Sequence, residues 1–362
     1  MKLTSNFVDE LYQNKILLMT KNDMNLATED LEYRIRQYLE ENSLYDASTQ
    51  AVDLTALSNY ITENNNTLST NLIKNHYENL SVCPEVPPKL VGYLNIDLEI
   101  EQPTEAQLDN RFKQAFLPGG HYLPECKPKS KVAIILPFRN RSEHLMYFLH
   151  YMHPILQRQQ LEYKIYVINQ LGDSPFNRAI LLNIGFVESI RDYPDWGCFT
   201  FHDVDIVLEN DNLLYRCSER PRHMSVAVDK FNYKLPYSQI FGGVTSVRKD
   251  HYLALNGYSN SFNGWGGEDD DMFRRLYLAQ LDIQRPDPKF ARYKMFKHKR
   301  DSENQPNPNR WKLLRSVRKR WKLDGLNSLL PLYTVESIEQ HVSYTMINVK
   351  VEINDFSKAV QL

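Results

Sequence analysis

An acid-x-acid triplet, Asp203-Val204-Asp205, directly follows the apolar run Cys198-Phe199-Thr200-Phe201. The run predicts a buried strand, and the carboxyl end of such a strand is where α/β proteins bind their ligands. Carboxylate oxygens suit Mg²⁺ or Mn²⁺, which can bridge the phosphates of a nucleoside diphosphate. Acidic triplets also arise by chance in a chain with 45 acidic residues. The interpretation therefore depends on the position of the triplet after the strand.

The segment from Phe262 to Asp271 combines glycines, Trp265 and the four consecutive acids Glu268 to Asp271. The glycines add entropy to the unfolded chain and adjacent carboxylates repel each other, so this composition opposes folding. Crowding also raises the proton affinity of a carboxylate, as a general base requires. The alternative is an acidic helix N-terminus, which the helix dipole favours. We expect a general base among these acids and a tryptophan that presents its ring to a sugar.

Other candidate residues are weaker when each is taken alone. Arg139, Arg141 and Arg178 lie at predicted strand or helix boundaries, where a guanidinium can hold phosphate oxygens bidentately. Neither GxxxxGK[ST] nor GxGxxG after a strand occurs, so a bound diphosphate would need side chains and a metal. Met295 and His298 reach one point if their segment is helical or tightly turned. The alternatives are surface arginines, a core methionine and an exposed histidine.

A regular alternation of elements would position these residues. The apolar runs 131–136 and 163–168 predict two buried strands before the strand at 198–201. Between them, apolar residues recur at helical spacing in two segments: Leu145, Leu149 and Met152, then Ile180, Ile184, Val187 and Ile190. Strands that alternate with helices predict a doubly wound α/β sheet.

The ends of the chain differ from this central part. Residues 1–82 are rich in asparagine and contain one amphipathic run with Leu31, Ile35 and Leu39, which predicts a partly helical or loosely ordered stem. The basic run Arg310 to Lys322 either attracts an anionic partner or forms the solvated face of a helix whose Trp311, Leu314 and Val317 pack inward. With 43 basic and 45 acidic residues the net charge is −2, so no global field favours nucleic acid.

Cysteines and sequons bear on the compartment. Four cysteines without a CxxC pair allow two disulfides or four reduced thiols. The sequons Asn65-Asn66-Thr67 and Asn79-Leu80-Ser81 favour a lumenal or secreted protein. No apolar run reaches the roughly 18 residues that span a bilayer, and no signal-peptide pattern is visible.

Together, these motifs resemble those of the β1,4-galactosyltransferase family. The motifs follow the order Pro137-Phe138-Arg139-Asn140-Arg141, Phe176-Asn177-Arg178, Asp203-Val204-Asp205, Trp265 to Asp271 and Met295-x-x-His298. The resemblance extends from about Cys83 to Asn354. It implies an α/β, Rossmann-like GT-A catalytic domain at 83–354 with a stem at 1–82 and a tail at 355–362. It further implies an inverting, Mn²⁺-dependent transferase of the Golgi lumen, anchored as a type II membrane protein, although the sequence shows no such anchor.

The resemblance also implies residue roles. Asp269 would be the catalytic base with Glu268 beside it, and Gly267, Asp269 and Asp270 would bind the acceptor. The remaining assignments form a longer set. The implied Mn²⁺ ligands are Asp205, Met295 and His298; the nucleotide-sugar site is Pro137, Phe138, Arg139, Arg141, Phe176, Arg178, Asp203, Val204, Lys230, Gly243 and Trp265; the disulfides are Cys83 to Cys126 and Cys198 to Cys217. A soft thioether suits a hard ion poorly, so we expect exchangeable metal. The stretch from about Phe296 to Arg315 would close over the bound donor and then form part of the acceptor site.

Ile240 departs from the family pattern. Galactose-transferring members resemble one another in having tyrosine there, where the ring crowds the 2-position of the donor sugar. A smaller side chain leaves room for an N-acetyl group, a difference worth about 1–3 kcal/mol. We therefore predict transfer of GalNAc from UDP-GalNAc to the O4 of terminal β-GlcNAc on a glycan. The alternatives are a UDP-galactose:GlcNAc β1,4-galactosyltransferase and a non-catalytic sugar-binding module. The basic run near Arg310 is a candidate contact for an accessory protein subunit.

Overall fold

The computed structural model describes residues 45–46, 51–52, 73–296 and 304–352. Most of the predicted stem, including Leu31, Ile35 and Leu39, the sequon at Asn65, residue His298 and the tail lie outside these ranges. The strands are β1 Tyr45–Asp46, β2 Ala51–Val52, β3 Phe116–Leu117, β4 His121–Tyr122, β5 Lys131–Phe138, β6 Glu162–Gln170, β7 Cys198–His202, β8 Ile206–Leu208, β9 Arg222–His223, β10 Ala227–Val228, β11 Val244–Arg248, β12 Arg292–Met295, β13 Tyr333–Gln340 and β14 Thr345–Val351. The α-helices are α1 Glu105–Phe112, α2 Ser142–Arg158, α3 Arg178–Asp192, α4 Lys249–Ala254, α5 Glu268–Leu278 and α6 Arg310–Arg320.

The predicted strands form the centre of a large mixed sheet with the order β13-β14-β6-β5-β7-β11-β9. Strand β5 pairs in parallel with β6 and with β7, and β14 pairs in parallel with β6. The outer strands β11 and β13 pair antiparallel to β7 and β14. Strand β5 is an uninterrupted apolar run because both of its faces are covered.

Helices cover the two faces of this sheet. On one face Ile134 of β5 lies in a core with Leu149 of α2, and on the other face Ile135 lies in a core with Ile184 of α3. Neighbouring residues of a strand point to opposite faces, so these two cores occupy opposite sides of the sheet. The predicted doubly wound α/β architecture is therefore confirmed.

A small second sheet lies beyond the end of β7, with the order β10-β12-β8. Strand β12 runs antiparallel to β8, and this register places Met295 opposite Ile206. A 3₁₀ turn, Asp229–Phe231, follows β10. This sheet brings the chain on either side of residue 295 next to the acid triplet at 203–205.

The four cysteines form two disulfides, Cys83–Cys126 and Cys198–Cys217, which is the pairing that the resemblance implies. The first joins the segment before α1 to the segment before β5. The second joins the start of β7 to the loop that follows β8. Within the described ranges, no helix is both long enough and apolar enough to cross a membrane.

Helix α6 differs in part from its prediction. Leu314 and Val317 are buried as expected, but Trp311 is 60% exposed, so its predicted inward position is wrong. At 100° per residue, the buried residues Leu313, Leu314, Val317 and Arg320 occupy one face of the helix. Trp311 lies outside that face. Arg320 takes an inward position instead, because buried carboxylates pair with it.

Candidate active site

The loop after β5 carries the first predicted nucleotide-binding residues. Arg139 is buried, its Nη1 donates to the Ser174 carbonyl at 2.6 Å, and its guanidinium lies 5.2 Å from the Phe176 ring centre. Among the described residues, no acceptor satisfies its Nε and Nη2 groups. Buried donors without a partner are costly, so a ligand that supplies acceptor oxygens would stabilise this loop. Arg139 therefore suits an anionic ligand.

The other predicted residues of this loop lie close to Arg139 in sequence. Pro137 and Phe138 are the last residues of β5, and both are buried. Arg141 is half-buried and occupies the N-cap position of α2, where its side chain makes no capping hydrogen bond. These residues lie at the carboxyl end of a central parallel strand, where doubly wound sheets bind ligands.

Arg178, the first residue of α3, connects three elements. Its Nε donates to Asp203 Oδ1 at 2.7 Å, and its Nη1 donates to Asp269 Oδ1 at 3.1 Å. The same Nη1 lies 3.9 Å from Glu268 Oε1. The side chain of Asn177 caps α3 by accepting from the Ile180 amide at 2.9 Å, which fixes the direction in which the helix begins. Residues from the end of β7 and the start of α5 thus meet at one guanidinium.

The acids around Arg178 outnumber it. Burial raises the pKa of Asp269 well above its ordinary value, and the Glu268 carboxylate raises it further, while Arg178 opposes the shift. Burial likewise raises the pKa of Glu268 and of Asp203, again against the effect of Arg178. A carboxylate with raised proton affinity accepts a proton readily, as a general base must. Asp269 remains 28% exposed through its side chain, so a substrate can reach it.

The backbone at Gly242 lies against the carboxylate of Asp269. A Cβ at Gly242 would lie 2.0 Å from Asp269 Oδ2, so only glycine allows this approach. The next residue, Gly243, accepts from the Asp203 amide at 3.0 Å. Ile240, two residues before Gly242, is half-buried, and its carbonyl accepts from Arg285 Nη2 at 2.9 Å. The predicted specificity residue therefore belongs to the segment that packs on the predicted base.

An open cleft of about 270 Å³ adjoins these acids. Its walls come from the segment before α5, from the first turn of α5, from Tyr237 and from the first turns of α6. The lining residues are Tyr237, Trp265, Gly266, Gly267, Glu268, Asp269, Asp270, Arg310, Trp311 and Leu314.

The cleft exposes two tryptophan rings. Trp265 is 55% exposed and Trp311 is 60% exposed. The backbone holds Trp265 in place, because its amide donates to the Gln305 carbonyl at 2.9 Å and its carbonyl accepts from the Asn307 amide at 3.0 Å. Tyr237 Oη donates to Asp270 Oδ1 at 3.1 Å. Exposed aromatic rings beside polar groups are suited to bind a sugar, which has both apolar faces and hydroxyl groups.

The start of α5 explains the unusual glycines. Gly267 is the N-cap of α5 with φ of 102°, a left-handed conformation that favours glycine. A Cβ there would lie 2.7 Å from Phe262 Cε1. The four acids that follow occupy the first turn of the helix, where the dipole favours negative charge. The dipole interpretation and the general-base interpretation thus describe the same turn.

Two of the three predicted metal ligands are neighbours. The Phe296 amide donates to the Asp205 carbonyl at 2.8 Å, and Met295 of β12 pairs with Ile206 of β8. Met295 and Asp205 therefore lie at the same end of this strand pair. Met295 ends a strand rather than a helix, and His298 lies outside the described residues. Among the described residues, no group of three or more His, Cys, Asp or Glu side chains is arranged to hold a metal ion. Asp205 supplies hard oxygen ligands, so this end of the small sheet fits a divalent cation.

The remaining predicted residues surround the same region. Val204 is buried between Asp203 and Asp205. Lys230 is exposed on the 3₁₀ turn, whose Asp229 accepts from the Met295 amide at 2.9 Å. Sequence reasoning gave Tyr237 no role in the site, and it included Arg310 and Leu314 only as members of the closing stretch from about Phe296 to Arg315. No local pattern distinguishes these three, because they reach the cleft only through the tertiary fold.

Comparison with known proteins identifies the class. Residues 83–218 match the family model described as the N-terminal region of glycosyl transferase group 7, and residues 222–299 match the model described as the N-terminal domain of galactosyltransferase. The fold is that of a GT-A glycosyltransferase, and the chain is a hexosyltransferase.

The chain belongs to the β-1,4-galactosyltransferase family. It is 49% identical to mouse β-1,4-galactosyltransferase 1 over 273 aligned residues. The alignment covers 75% of this chain and 67% of the mouse protein. It is 46% identical to β-1,4-galactosyltransferase 2 of Cricetulus griseus, over 74% of this chain and 72% of the relative. A crystal structure of a Drosophila β1,4-galactosyltransferase 7 mutant with manganese, UDP-Gal and xylobiose has a TM-score of 0.54 and 30% identity, covering 63% of this chain and 97% of that one.

Proposed function

We propose that this protein transfers GalNAc from UDP-GalNAc to the O4 hydroxyl of a terminal β-GlcNAc residue, with inversion, to form GalNAcβ1,4GlcNAc. The observation that carries the proposal is the acid cluster on Arg178, which opens into a cleft between two exposed tryptophans. The cluster provides a base with raised proton affinity, and the cleft provides a surface for a sugar. These are the two requirements of transfer to a hydroxyl group.

In the proposed reaction Asp269 removes the proton from the acceptor O4 hydroxyl. The oxygen attacks the anomeric carbon of the donor from the face opposite the diphosphate, the bond from that carbon to the phosphate oxygen breaks, and UDP leaves. The new linkage is β because the attack inverts the anomeric carbon. Arg178 holds Asp269 and Asp203 in position, and Glu268 keeps the proton affinity of Asp269 high.

The donor would lie at the ends of β5 and β7. The unsatisfied donors of Arg139 would contact phosphate oxygens, with Phe176 stacked beside the guanidinium. Asp205, Met295 and His298 would hold Mn²⁺, and a bound divalent ion supplies charge neutralisation to a diphosphate leaving group. The Drosophila relative was crystallised with manganese and UDP-Gal.

The acceptor would occupy the cleft. Trp265 and Trp311 offer rings to the faces of the GlcNAc residue, and Asp270, held by Tyr237, offers an acceptor for a sugar hydroxyl. This arrangement places the reacting hydroxyl near Asp269, which lies in the same turn of α5 as Asp270. A non-catalytic sugar-binding module would have no need of a buried base at that point.

The choice of donor sugar depends on Ile240. Ile240 lies two residues before Gly242, whose backbone packs on Asp269, and this supports an influence on the donor. The small side chain of Ile240 favours an N-acetyl group at the 2-position. The second candidate is galactose transfer, which the names of the relatives favour.

A donor competition decides between the two sugars. With a GlcNAc acceptor and Mn²⁺, we expect UDP-GalNAc to be preferred over UDP-Gal by kcat/KM, and Ile240→Tyr to shift the ratio about tenfold or more toward UDP-Gal. Ile240→Leu is the control and should leave the ratio nearly unchanged. If Ile240→Tyr leaves the ratio unchanged, the assignment of specificity to Ile240 is wrong, and the absence of UDP release with either donor favours a binding module.

The setting of the enzyme is part of the proposal. Two disulfides agree with a lumenal compartment, and Asn79 of the sequon at 79–81 is exposed. We place the catalytic domain at 83–354, after a stem at 1–82, in the Golgi lumen. Localisation of the tagged full chain in insect or mammalian cells, with glycosidase sensitivity of its electrophoretic mobility, tests this placement.

A further inference from the structure

One face of helix α6 is strongly basic. Lys312, Arg315, Arg318, Lys319 and Lys322 are all exposed on or just beyond this helix. No acidic residue occurs between Arg310 and Leu323. We call these five cations the basic face. The whole chain has a net charge of −2, so the basic face is a local feature rather than part of a general excess of positive charge.

Other charges of the described chain do not explain the basic face. In the described ranges, none of its five cations forms an ion pair, although Arg320 of the same helix has two. The acids at the start of α5 have other partners: Glu268 and Asp269 lie against Arg178, Asp270 accepts from the Tyr237 hydroxyl, and Asp271 pairs with the buried Arg275 and Arg320. Arg274 of α5 contacts α6 by donating to the Leu314 carbonyl, and it is an exposed cation itself. Neighbouring cations without counter-charges repel each other, so ion pairing within the described ranges does not account for this arrangement.

The basic face continues from the wall of the cleft. Trp311, Arg315, Arg318 and Lys322 are spaced at i, i+4, i+7 and i+11, which places them along one side of the helix. The rise of 1.5 Å per residue puts Arg315 and Arg318 about 6 Å and 10 Å along the helix axis from Trp311. Because Trp311 lines the cleft, a molecule whose end lies against Trp311 and extends along α6 passes these cations.

We propose that the basic face binds anionic groups of the acceptor beyond its terminal sugar. The inference rests on the proposed function, since it takes the cleft to hold the terminal GlcNAc. Carboxylates of a peptide or sulfates of an inner sugar have the same recognition chemistry, since a guanidinium or an ammonium group pairs with either. An anionic membrane surface would also be attracted, but the alignment of the cations with Trp311 favours the acceptor.

The test compares matched acceptors. One carries a terminal GlcNAc on an uncharged glycopeptide, the second has the same glycan on a peptide with three aspartates, and the third carries a sulfated inner sugar on the uncharged peptide. At 50 mM NaCl we expect the KM of an anionic acceptor to be about threefold to tenfold lower at unchanged kcat, because each exposed ion pair contributes little and several act together. At 500 mM NaCl the difference should disappear through screening. Whichever anionic acceptor shows the effect identifies the source of the charge.

Variants connect the effect to the helix. Substituting Arg318→Gln, Lys319→Gln and Lys322→Gln together should abolish the KM difference while the uncharged acceptor keeps its KM and kcat. The control changes two exposed cations of other segments, Lys89→Gln and Arg220→Gln, and should retain the difference. Equal KM values for all three acceptors with the wild-type protein, or a preference that the triple variant retains, would overturn the inference.

A direct binding measurement separates this inference from the proposed function. Fluorescence anisotropy of the labelled acidic and uncharged glycopeptides, in the presence of UDP and Mn²⁺, reports binding without turnover. If no acceptor is glycosylated but the acidic glycopeptide binds more tightly to the wild type than to the triple variant, the proposed function fails and the inference stands. If the triple variant loses only binding to vesicles that contain phosphatidylserine, the face binds membrane and the inference is wrong.

Discussion

Two clusters of charged residues meet helix α5, and they differ in the balance of their charges. At the buried side of the helix, Asp271 pairs with Arg275 and with Arg320, and Arg320 also pairs with Asp324. All four side chains are fully buried. At the cleft side, one guanidinium, Arg178, faces the carboxylates of Asp203, Glu268 and Asp269.

The buried cluster has two cations for two anions, and further hydrogen bonds satisfy its members. Arg275 Nη2 donates to the Asp324 carbonyl at 2.7 Å, and the Asn260 amide donates to Asp324 Oδ1 at 2.8 Å. Buried charges persist when they are paired and hydrogen-bonded in this way. The cluster joins α5 to α6, so it holds the cleft-lining turns of both helices in one arrangement.

The cleft cluster has one cation, Arg178, for three carboxylates. Burial raises the pKa of Asp269, the Glu268 carboxylate raises it further, and Arg178 opposes the rise only in part, so this carboxylate binds a proton more tightly than usual. The comparison shows that the four acids Glu268 to Asp271 have two separate tasks. Asp271, three residues after Glu268, positions the helix, while the residues that face Arg178 carry the proposed chemistry.

The largest expected effect follows from removing the base. Asp269→Asn keeps the size of the side chain and should lower kcat about 10³-fold, the scale of general base catalysis. Thermal unfolding should change little, because the lost carboxylate is one of several that compete for Arg178. Initial rates of UDP release and a thermal melt measure the two quantities. A variant that keeps more than a tenth of the wild-type rate would assign the base elsewhere.

Breaking the buried cluster should lower the stability of the protein rather than act on catalysis directly. Arg320→Gln leaves the two buried carboxylates of Asp271 and Asp324 with Arg275 as their one remaining cation in the cluster, and it should lower the free energy of unfolding by about 3 kcal/mol or more. Arg318→Gln, two residues earlier on the exposed face of α6, is the control and should change it by less than about 0.5 kcal/mol. Urea denaturation followed by tryptophan fluorescence measures both. Equal effects of the two variants would show that the ion pairs do not hold α6 in place.

Arg178, the cation of the cleft cluster, should influence the pH dependence of kcat/KM. Arg178 opposes the rise in the pKa of Asp269, so Arg178→Gln should raise that pKa further. The base acts only when it is ionised, so the variant should lose activity toward the acid end of the pH profile and recover part of it as the pH rises. We expect the acid limb of the kcat/KM profile to move up by about one unit, within the range for a lost charge neighbour. An unchanged acid limb would mean that another group controls it.

The contrast between the clusters also shows what the sequence predicts and what it does not. Strands β5 to β7 and helices α2 and α3 were predictable, because continuous apolar runs and helical spacing are local patterns. The acids after β7 and in the first turn of α5 were predictable as a site because their composition is unusual. Their division into two tasks was not, since it depends on which side of α5 each carboxylate occupies.

Helix α6 shows the same limit more sharply. Helical spacing placed Trp311 inward with Leu314 and Val317, because a large apolar ring is normally buried. The structure buries Arg320 instead, and only the carboxylates of Asp271 and Asp324 make that burial favourable. One of those partners lies 49 residues away in sequence. No local pattern contains such a partner, so the exposure of the Trp311 ring could not be predicted from helical spacing.

The smallest expected effect tests that exposed ring. Trp311→Ala removes one wall of the cleft and should raise the KM for a GlcNAc acceptor about fivefold, since an aromatic contact contributes about 1 kcal/mol. The KM for the donor and the slow hydrolysis of the donor without acceptor should stay within twofold, because Trp311 belongs to the wall of the cleft that α6 forms, whereas the proposed base is held by Arg178 at the start of α3. Tyr277→Ala removes another exposed ring, 76% exposed on α5 but outside the cleft, and should change neither KM. A rise in the donor KM alone would place Trp311 in the donor site, and the cleft would then hold the nucleotide sugar rather than the acceptor.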